Sequence, residues 1–323
     1  MDTTIIGPGA VGTLLGGLLR LKGHDVTLRG KQPPREPGAV CRVVLPDRWL
    51  LVDGLRMQGP EDPVLPAEAI LVTLGRQHVH AERRPDFSRL VGTEEAPIGF
   101  FNCDPAETER LAVPPQRLRR CLSLMSAVKL QDNDVELATP SSCIVFEKSK
   151  VLARLFQDLS SFGFKSMAVD DITPYANSLL VTQLLFLPVA MCNTTLGAFL
   201  SSPPGRDLAA SILAEGFAAM ERAGLALAPL PMMDPIELAM RLEKKPGSFE
   251  GAAAAPDRAY NSVLQSYLGD RPTEGALINH KIVDIASSAG LHLTWNWRIL
   301  QKASRVSGLG FYRDPSDLLR ALA

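Results

Sequence analysis

The segment "TTIIGPGAVGTLLGGLLRLKGHDVTL", Thr3 to Leu28, decides the fold. It opens on a β-branched run, "TTII", that stops at a glycine. "AVGTLLGGLLRLKG" follows with apolar residues at helical spacing, and "HDVTL" reads as a second strand. Strand, glycine turn, helix, strand is the repeating unit of a parallel sheet. Gly7, Gly9 and Gly12 within it form G-x-G-x-x-G. In a dinucleotide-binding turn the first glycine makes the tight bend, the second lets backbone approach a pyrophosphate, and the third lets helix and sheet pack closely. The helix start, at Ala10 and Val11, then offers unpaired N–H groups and a partial positive charge to the phosphates. A purely structural glycine turn is the competing reading.

Outward from this unit the first half keeps alternating. "AILVTL" (Ala69 to Leu74), "APIGFFN" (Ala96 to Asn102) and "SCIVFEK" are short apolar runs bounded by turn residues. "GKQPPREPG" is a proline-rich, charged loop, and the pattern weakens between Arg119 and Phe146. The second half carries helix signals only. "RDLAASILAEGFAAMERAGLAL" is periodic, and "DPIELAMRLEKKPG" has an Asp cap, Pro at the first helical position and Lys, Pro and Gly at its end. "APDRAYNSVLQSYLGD" and "TEGALINHKIVDIASSAG" predict two more helices. The expectation is an α/β chain: a Rossmann-type parallel-sheet domain over 1–168, then an all-helical domain over 169–323 for substrate binding and dimerisation.

Hydrophobic residues make up 46% of the 323 and the formal net charge is −1, which suits a globular protein and gives no sign of a nucleic-acid or acidic-membrane partner. The five cysteines are scattered without a CxxC pair, so reduced cytoplasmic thiols are expected rather than disulfides or a metal site. The opening residues show no secretory pattern. From Ile172 to Gly205 there is no charged side chain. A membrane span needs about 20 mainly apolar residues. The densest part, Leu179 to Cys192, is shorter and contains Thr182, Gln183 and Pro188, so a buried helix is expected. The end of the second predicted strand reads "VTLRGK". NAD sites place an acid there, whereas Arg29 and Lys31 would attract a 2′-phosphate, which favours NADP(H). Ordinary solvated charges are the alternative.

Three segments together resemble the ketopantoate reductase (2-dehydropantoate 2-reductase) family: "IIGPGAVGTLLGGLLRLKGHDVTL", "SVLQSYLGDRPTEGALIN" and "GLHLTWNWRIL". Thr294 stands where that family usually has proline. The resemblance implies NADPH-dependent reduction of a small 2-oxo acid at a cleft between two domains. It matches Glu274 to a substrate-contacting glutamate and Ser262 to a serine that holds the substrate carboxylate, with Asn279 closing the same block. Asn102 matches an asparagine near the nicotinamide, although the expected following glycine is Cys103, and Lys31 matches the reader of the 2′-phosphate.

The departures concern charge. The family's lysine on the leading helix of its second domain falls on Leu179 in a gapless register, which also places Gln183 and Leu187 on two asparagines and Pro188 on a proline. A gapped register through Asn193 puts Leu185 at the lysine instead. A second lysine is Gly75 here, with Arg76 beside it as a cofactor contact. Tyr175, Leu179 and Gln183 are spaced to share a helix face, so Tyr175 and Gln183 are candidates to supply a proton and a hydrogen bond; His280 and Lys281 are lesser ones. Three functions stay open: a reductase with altered catalytic groups, a homologue doing non-redox chemistry on an apolar substrate, and an NADP-binding protein without turnover. A small-molecule substrate is the expected partner, and a homodimer is one assembly open to it.

Overall fold

The computed structural model describes residues 1–30, 40–75, 91, 95–102, 113–130, 134–139, 141–232, 234–243, 274–303 and 312–323. The chain divides into two compact units, Met1–Ile172 and Thr173–Ala323.

The first unit begins with β1 (Asp2–Ile6), α1 (Ala10–Leu21) and β2 (Asp25–Arg29), in the order the opening segment implies. It continues through β3 (Cys41–Val44), β4 (Trp49–Val52), β5 (Arg56–Gln58), β6 (Ala69–Val72) and β7 (Ile98–Phe101). Then come β8 (Leu118–Leu124), β9 (Ala127–Lys129), β10 (Val135–Leu137), β11 (Ser142–Glu147), α2 (Lys150–Gln157) and β12 (Phe164–Val169). Eight strands form one sheet in the order β12-β11-β8-β7-β6-β1-β2-β5. Its pairings are parallel except that of β8 with β11. β6 and β7 are buried at every position, as expected of a parallel sheet covered on both faces.

The remaining strands form a second sheet, ordered β4-β3-β10-β9, which the sequence did not lead us to expect. Its strands are only three or four residues long, too short to show a period. α1 lies between the two sheets. A carbon added at Gly16 would come within 2.8 Å of Leu28 in the main sheet, and one added at Gly17 within 2.8 Å of Val43 in the second. Every residue from Gly12 to Leu19 is buried, so this helix needs cover on both sides.

Among the described residues the second unit is helical throughout. α3 (Thr173–Gln183) and α4 (Phe186–Met191) are one apolar run interrupted at residues 184–185. Pro188 explains the interruption: it has no N–H to give and crowds the preceding turn, but is tolerated in the first turn of a new helix. By length and composition Thr173–Met191 could cross a membrane, yet 67% of its apolar window is buried within the protein, as in a core helix. α5 (Leu196–Ser201), α6 (Pro203–Arg222), α7 (Pro235–Glu243), α8 (Glu274–Ser288), α9 (Thr294–Ala303) and α10 (Pro315–Leu322) complete it. Three of these starts use a capping side chain directly followed by proline: Ser202, Asp234 and Asp314 accept backbone N–H bonds before Pro203, Pro235 and Pro315. The expected helix "APDRAYNSVLQSYLGD" lies outside the described residues.

α6 caps a different helix with a carboxylate. Glu215 accepts from the backbone N–H groups of Thr294, Trp295 and Asn296 at 2.7, 2.8 and 2.9 Å, and from Asn296 Nδ2 at 2.9 Å. An anion here meets the positive end of α9 and satisfies donors the helix cannot satisfy itself. Glu215→Ala should therefore destabilise the protein by about 2 kcal/mol, read as a lower urea midpoint. An unchanged midpoint would contradict the capping role.

Burial pushes the Cys192 thiol up to about 12, and Asp314 and Asp317 add repulsion against its thiolate. At pH 8 only about one molecule in 10⁴ would then carry the reactive form. Peptide-level mass spectrometry after iodoacetamide treatment should find Cys192 unmodified in native protein and modified in urea. Labelling of native Cys192 at a free-thiol rate would contradict this environment.

Candidate functional site

The glycine turn sits at the C-terminal end of β1, where ligands of parallel sheets bind. Gly7 has φ of +105°, a conformation that side chains rarely adopt. Its N–H donates to Arg29 O at 2.9 Å, and its carbonyl accepts from Thr73 Oγ1 at 2.8 Å. Gly12 seals the turn from behind: an added carbon would lie 2.1 Å from Gly7 O and 2.5 Å from Thr73 Oγ1. Gly9 differs, because nothing lies within 4 Å of the same added carbon. As N-cap of α1 it offers no side chain to the N–H groups of the first turn, at Ala10, Val11 and Gly12. A left-handed bend, a sealed back and an open, donor-rich front are the features a dinucleotide pyrophosphate requires, so the residues present fit that group.

β6 and β7 end at the same edge of the sheet as β1. Asn102 directly follows β7 with φ of +53°, which is uncommon outside glycine and recurs at functional sites. Its amide is held on both sides: Nδ2 donates to Ser123 Oγ at 2.8 Å, and Oδ1 accepts from Ser123 N–H at 3.0 Å. Thr73 and Ser123 are site-building residues that sequence reading missed. A lone Thr or Ser at a strand end carries no signal until its partner is known.

Arg29 departs from the expectation of a 2′-phosphate reader. It is 2% exposed, and β5 pairs beside it with Gln58 as its partner. Its Nη1 donates to Gln58 Oε1 and Pro63 O, both at 3.3 Å; Nη2 donates to Pro60 O at 2.9 Å and to Asp62 O. Burial lowers its pKa, while Asp62 and Glu61 act to raise it. The guanidinium ties down the loop after β5, an element the sequence did not reveal. Lys31, Arg76 and Ser262 lie outside the described residues, and so does the side chain of Glu274, the first residue of α8.

In the helical unit Tyr175, Leu179 and Gln183 fall on α3. Tyr175 is half-buried and Leu179 is 7% exposed, and neither belongs to the unit's hydrophobic core cluster. Leu185 and Leu187 do belong to it, at 0% exposure, so a lysine at position 185 would point its charge into the core. That favours the gapless register, with Leu179 at the lysine position. Gln183 Oε1 is buried with no hydrogen bond among the described residues. A buried acceptor left so costs about 1–3 kcal/mol until a donor reaches it. Asn279 is fully buried. Its Nδ2 donates to Asn296 Oδ1 at 3.2 Å, joining the Glu215 network, while its own Oδ1 makes no hydrogen bond among the described residues. His280 is exposed.

The family model "Ketopantoate reductase PanE/ApbA" matches residues 3–37, and its C-terminal counterpart matches residues 180–306. No curated protein sequence matches the chain. Among solved structures, 2-dehydropantoate 2-reductase from Geobacter metallireducens GS-15 aligns with a TM-score of 0.75 at 17% identity, covering 95% of this chain and 100% of the other. A D-mandelate dehydrogenase in ternary complex with NADH and anilino(oxo)acetate aligns at 0.73 and 14%, covering 99% and 100%. A dimeric ketopantoate reductase from Staphylococcus aureus aligns at 0.69 and 16%, covering 94% and 98%. At these identities the structural likeness speaks for the fold alone. With family models matching at both the glycine turn and the helical half, the chain belongs to the ketopantoate reductase family.

Proposed function

We propose that this chain binds a nicotinamide dinucleotide at the Gly7–Gly12 turn and reduces a 2-oxo acid. The observation that carries the proposal is the turn itself, left-handed at Gly7, sealed at Gly12 and open at Gly9. The D-mandelate dehydrogenase relative, described with NADH and an oxo-acetate, supports the same cofactor and substrate class. NADPH is the preferred form on this reading, with Lys31 as the 2′-phosphate contact, since Arg29 is already committed to the loop after β5.

The bound cofactor supplies the hydride. The chain must then stabilise negative charge on the carbonyl oxygen and deliver a proton to it. Tyr175 is assigned the proton and Gln183 a hydrogen bond to substrate, one helical turn to either side of Leu179. Ser262 and Glu274 take the substrate carboxylate and hydroxyl end, as the family resemblance implies. Asn102 faces the nicotinamide. Asn279 stays in the substrate half as a buried support beside Asn296 rather than as a direct ligand. The helical half is further proposed to carry a homodimer contact, on the likeness to the dimeric Staphylococcus aureus relative.

A second reading has one observation in its favour. Leu179 is apolar and buried where the family resemblance puts a lysine, which suits a dinucleotide-binding member that no longer turns over 2-oxo acids.

Titration with NADPH and NADH, followed by ketopantoate and a panel of other 2-oxo acids, separates the two. The proposal expects tighter NADPH binding and substrate-dependent loss of reduced-nicotinamide absorbance. Tight cofactor binding with no oxidation on any substrate would favour the second reading, and equal affinity for the two cofactors would remove Lys31 as the selectivity residue. Leu179→Lys is expected to raise the rate on ketopantoate by about tenfold or more, since each factor of ten needs only 1.36 kcal/mol of barrier. No gain in a folded variant would count against the register.

A further inference from the structure

Three strand ends stand in one row beside the glycine turn. Ile6, the last residue of β1, pairs with Arg29, the last of β2, and Arg29 pairs with Gln58, the last of β5. Arg29 ties together the pieces of chain that follow. Its carbonyl accepts from Gly7 N–H at 2.9 Å, and its guanidinium donates to the carbonyls of Pro60, Asp62 and Pro63. The chain held by the guanidinium is a closed turn. Asp62 N–H donates to Gly59 O at 3.4 Å, and the Asp62 carboxylate accepts from Gly59 N–H at 2.7 Å. Pro60 and Glu61 are the two central residues of this turn, and proline is favoured at the first of those places.

The two carboxylates of the turn have different duties. That of Asp62 closes it. Glu61 stands at its tip, exposed, between two carbonyls that Arg29 holds. It lies near enough to the guanidinium to favour its charged form. In dinucleotide sites of this kind the adenosine ribose lies beyond the end of the second strand. An acid there bonds the ribose hydroxyls, whereas a 2′-phosphate calls for a cation. Here β2 ends without an acid, but it ends on an arginine that holds a turn carrying one. Resting on the dinucleotide reading above, we infer that Glu61 faces the adenosine ribose and limits the preference for NADPH. Its carboxylate accepts from the ribose hydroxyls of NADH and repels the 2′-phosphate of NADPH. It thus works against Lys31, the 2′-phosphate contact of that reading. Arg29 is then a positioning residue: its backbone supports the glycine turn, and its side chain supports the turn that selects between the two cofactors.

The test uses purified full-length protein, with NADPH and NADH as probes in direct binding titrations at low salt, where repulsion between exposed charges is least screened. Glu61→Gln removes the charge and keeps the length of the side chain. The ratio of NADPH to NADH affinity should rise about fivefold or more, from relief of repulsion on one side and a weaker ribose bond on the other. Asp62→Asn is the control. It removes the same charge from the same turn and keeps an acceptor for Gly59 N–H, so it should move the ratio less than half as far. The ratio does not depend on the fraction of a variant that is folded. An unchanged ratio in Glu61→Gln would overturn the inference and leave the dinucleotide reading standing. An equal rise in Asp62→Asn would assign the effect to the general charge of the turn and would overturn it as well. If wild type binds neither dinucleotide, the reading and the inference fall together.

Discussion

The packing of α1 is the constraint on which the N-terminal unit depends. Gly12 rests against the backbone of Gly7, Gly16 against the main sheet and Gly17 against the second sheet. Any side chain at the first of these would lift the helix off the turn; at the others it would part helix and sheet. These contacts fix three things together: the start of the helix at the end of β1, the bend of the chain before it, and the clear ground at Gly9. An open, donor-rich helix start arises here as a by-product of close packing. The same glycines that let two layers press on one helix leave its N-terminal N–H groups facing outward.

The sequence showed the skeleton of this arrangement and little of its surroundings. β1, α1, β2, β6, β7 and β11 were readable because each is a compact apolar run with clear punctuation, and the helices of the second unit announced themselves through Asp-Pro starts and long periodicity. The second sheet was hidden, because three-residue strands such as β9 and β10 cannot display an alternation, and their meaning comes from partners distant in sequence. The same blindness misplaced Arg29. At the end of β2 it had the look of a solvent-facing cation available to a phosphate. β5 and its following loop surround it with carbonyl acceptors, and that loop is visible only once the strands are paired. Gly7, Gly9 and Gly12 were legible for the opposite reason: their chemistry is contained within six residues.

The two units differ in how tightly their functional residues are bound to stability. In the first unit the turn cannot be altered without disturbing the core, since Thr73, Gly7 and Gly12 are in mutual contact. Asn102 is equally held, with both amide ends on Ser123. In the second unit Tyr175 and Leu179 lie outside the hydrophobic cluster that unites α6 with its neighbours. Residues so placed can change their chemistry at small cost to folding. The glycine turn is thus the candidate site that the fold itself protects, whereas the exposed side of α3 can change at smaller cost.

That asymmetry bears on the missing lysine. A charged side chain at position 179 would have to escape an apolar run that carries no other charge from Ile172 to Gly205. Leucine removes that difficulty and sets an apolar side chain between Tyr175 and Gln183. In a drier setting each remaining polar group counts for more, because hydrogen bonds and dipoles strengthen as water is excluded. Gln183 Oε1 is the clearest case: it is a buried acceptor with no donor among the described residues, and its free energy improves when something brings one. Leu179 and the Gln183 acceptor one turn away thus set an apolar side chain beside a polar atom in the same charge-free run.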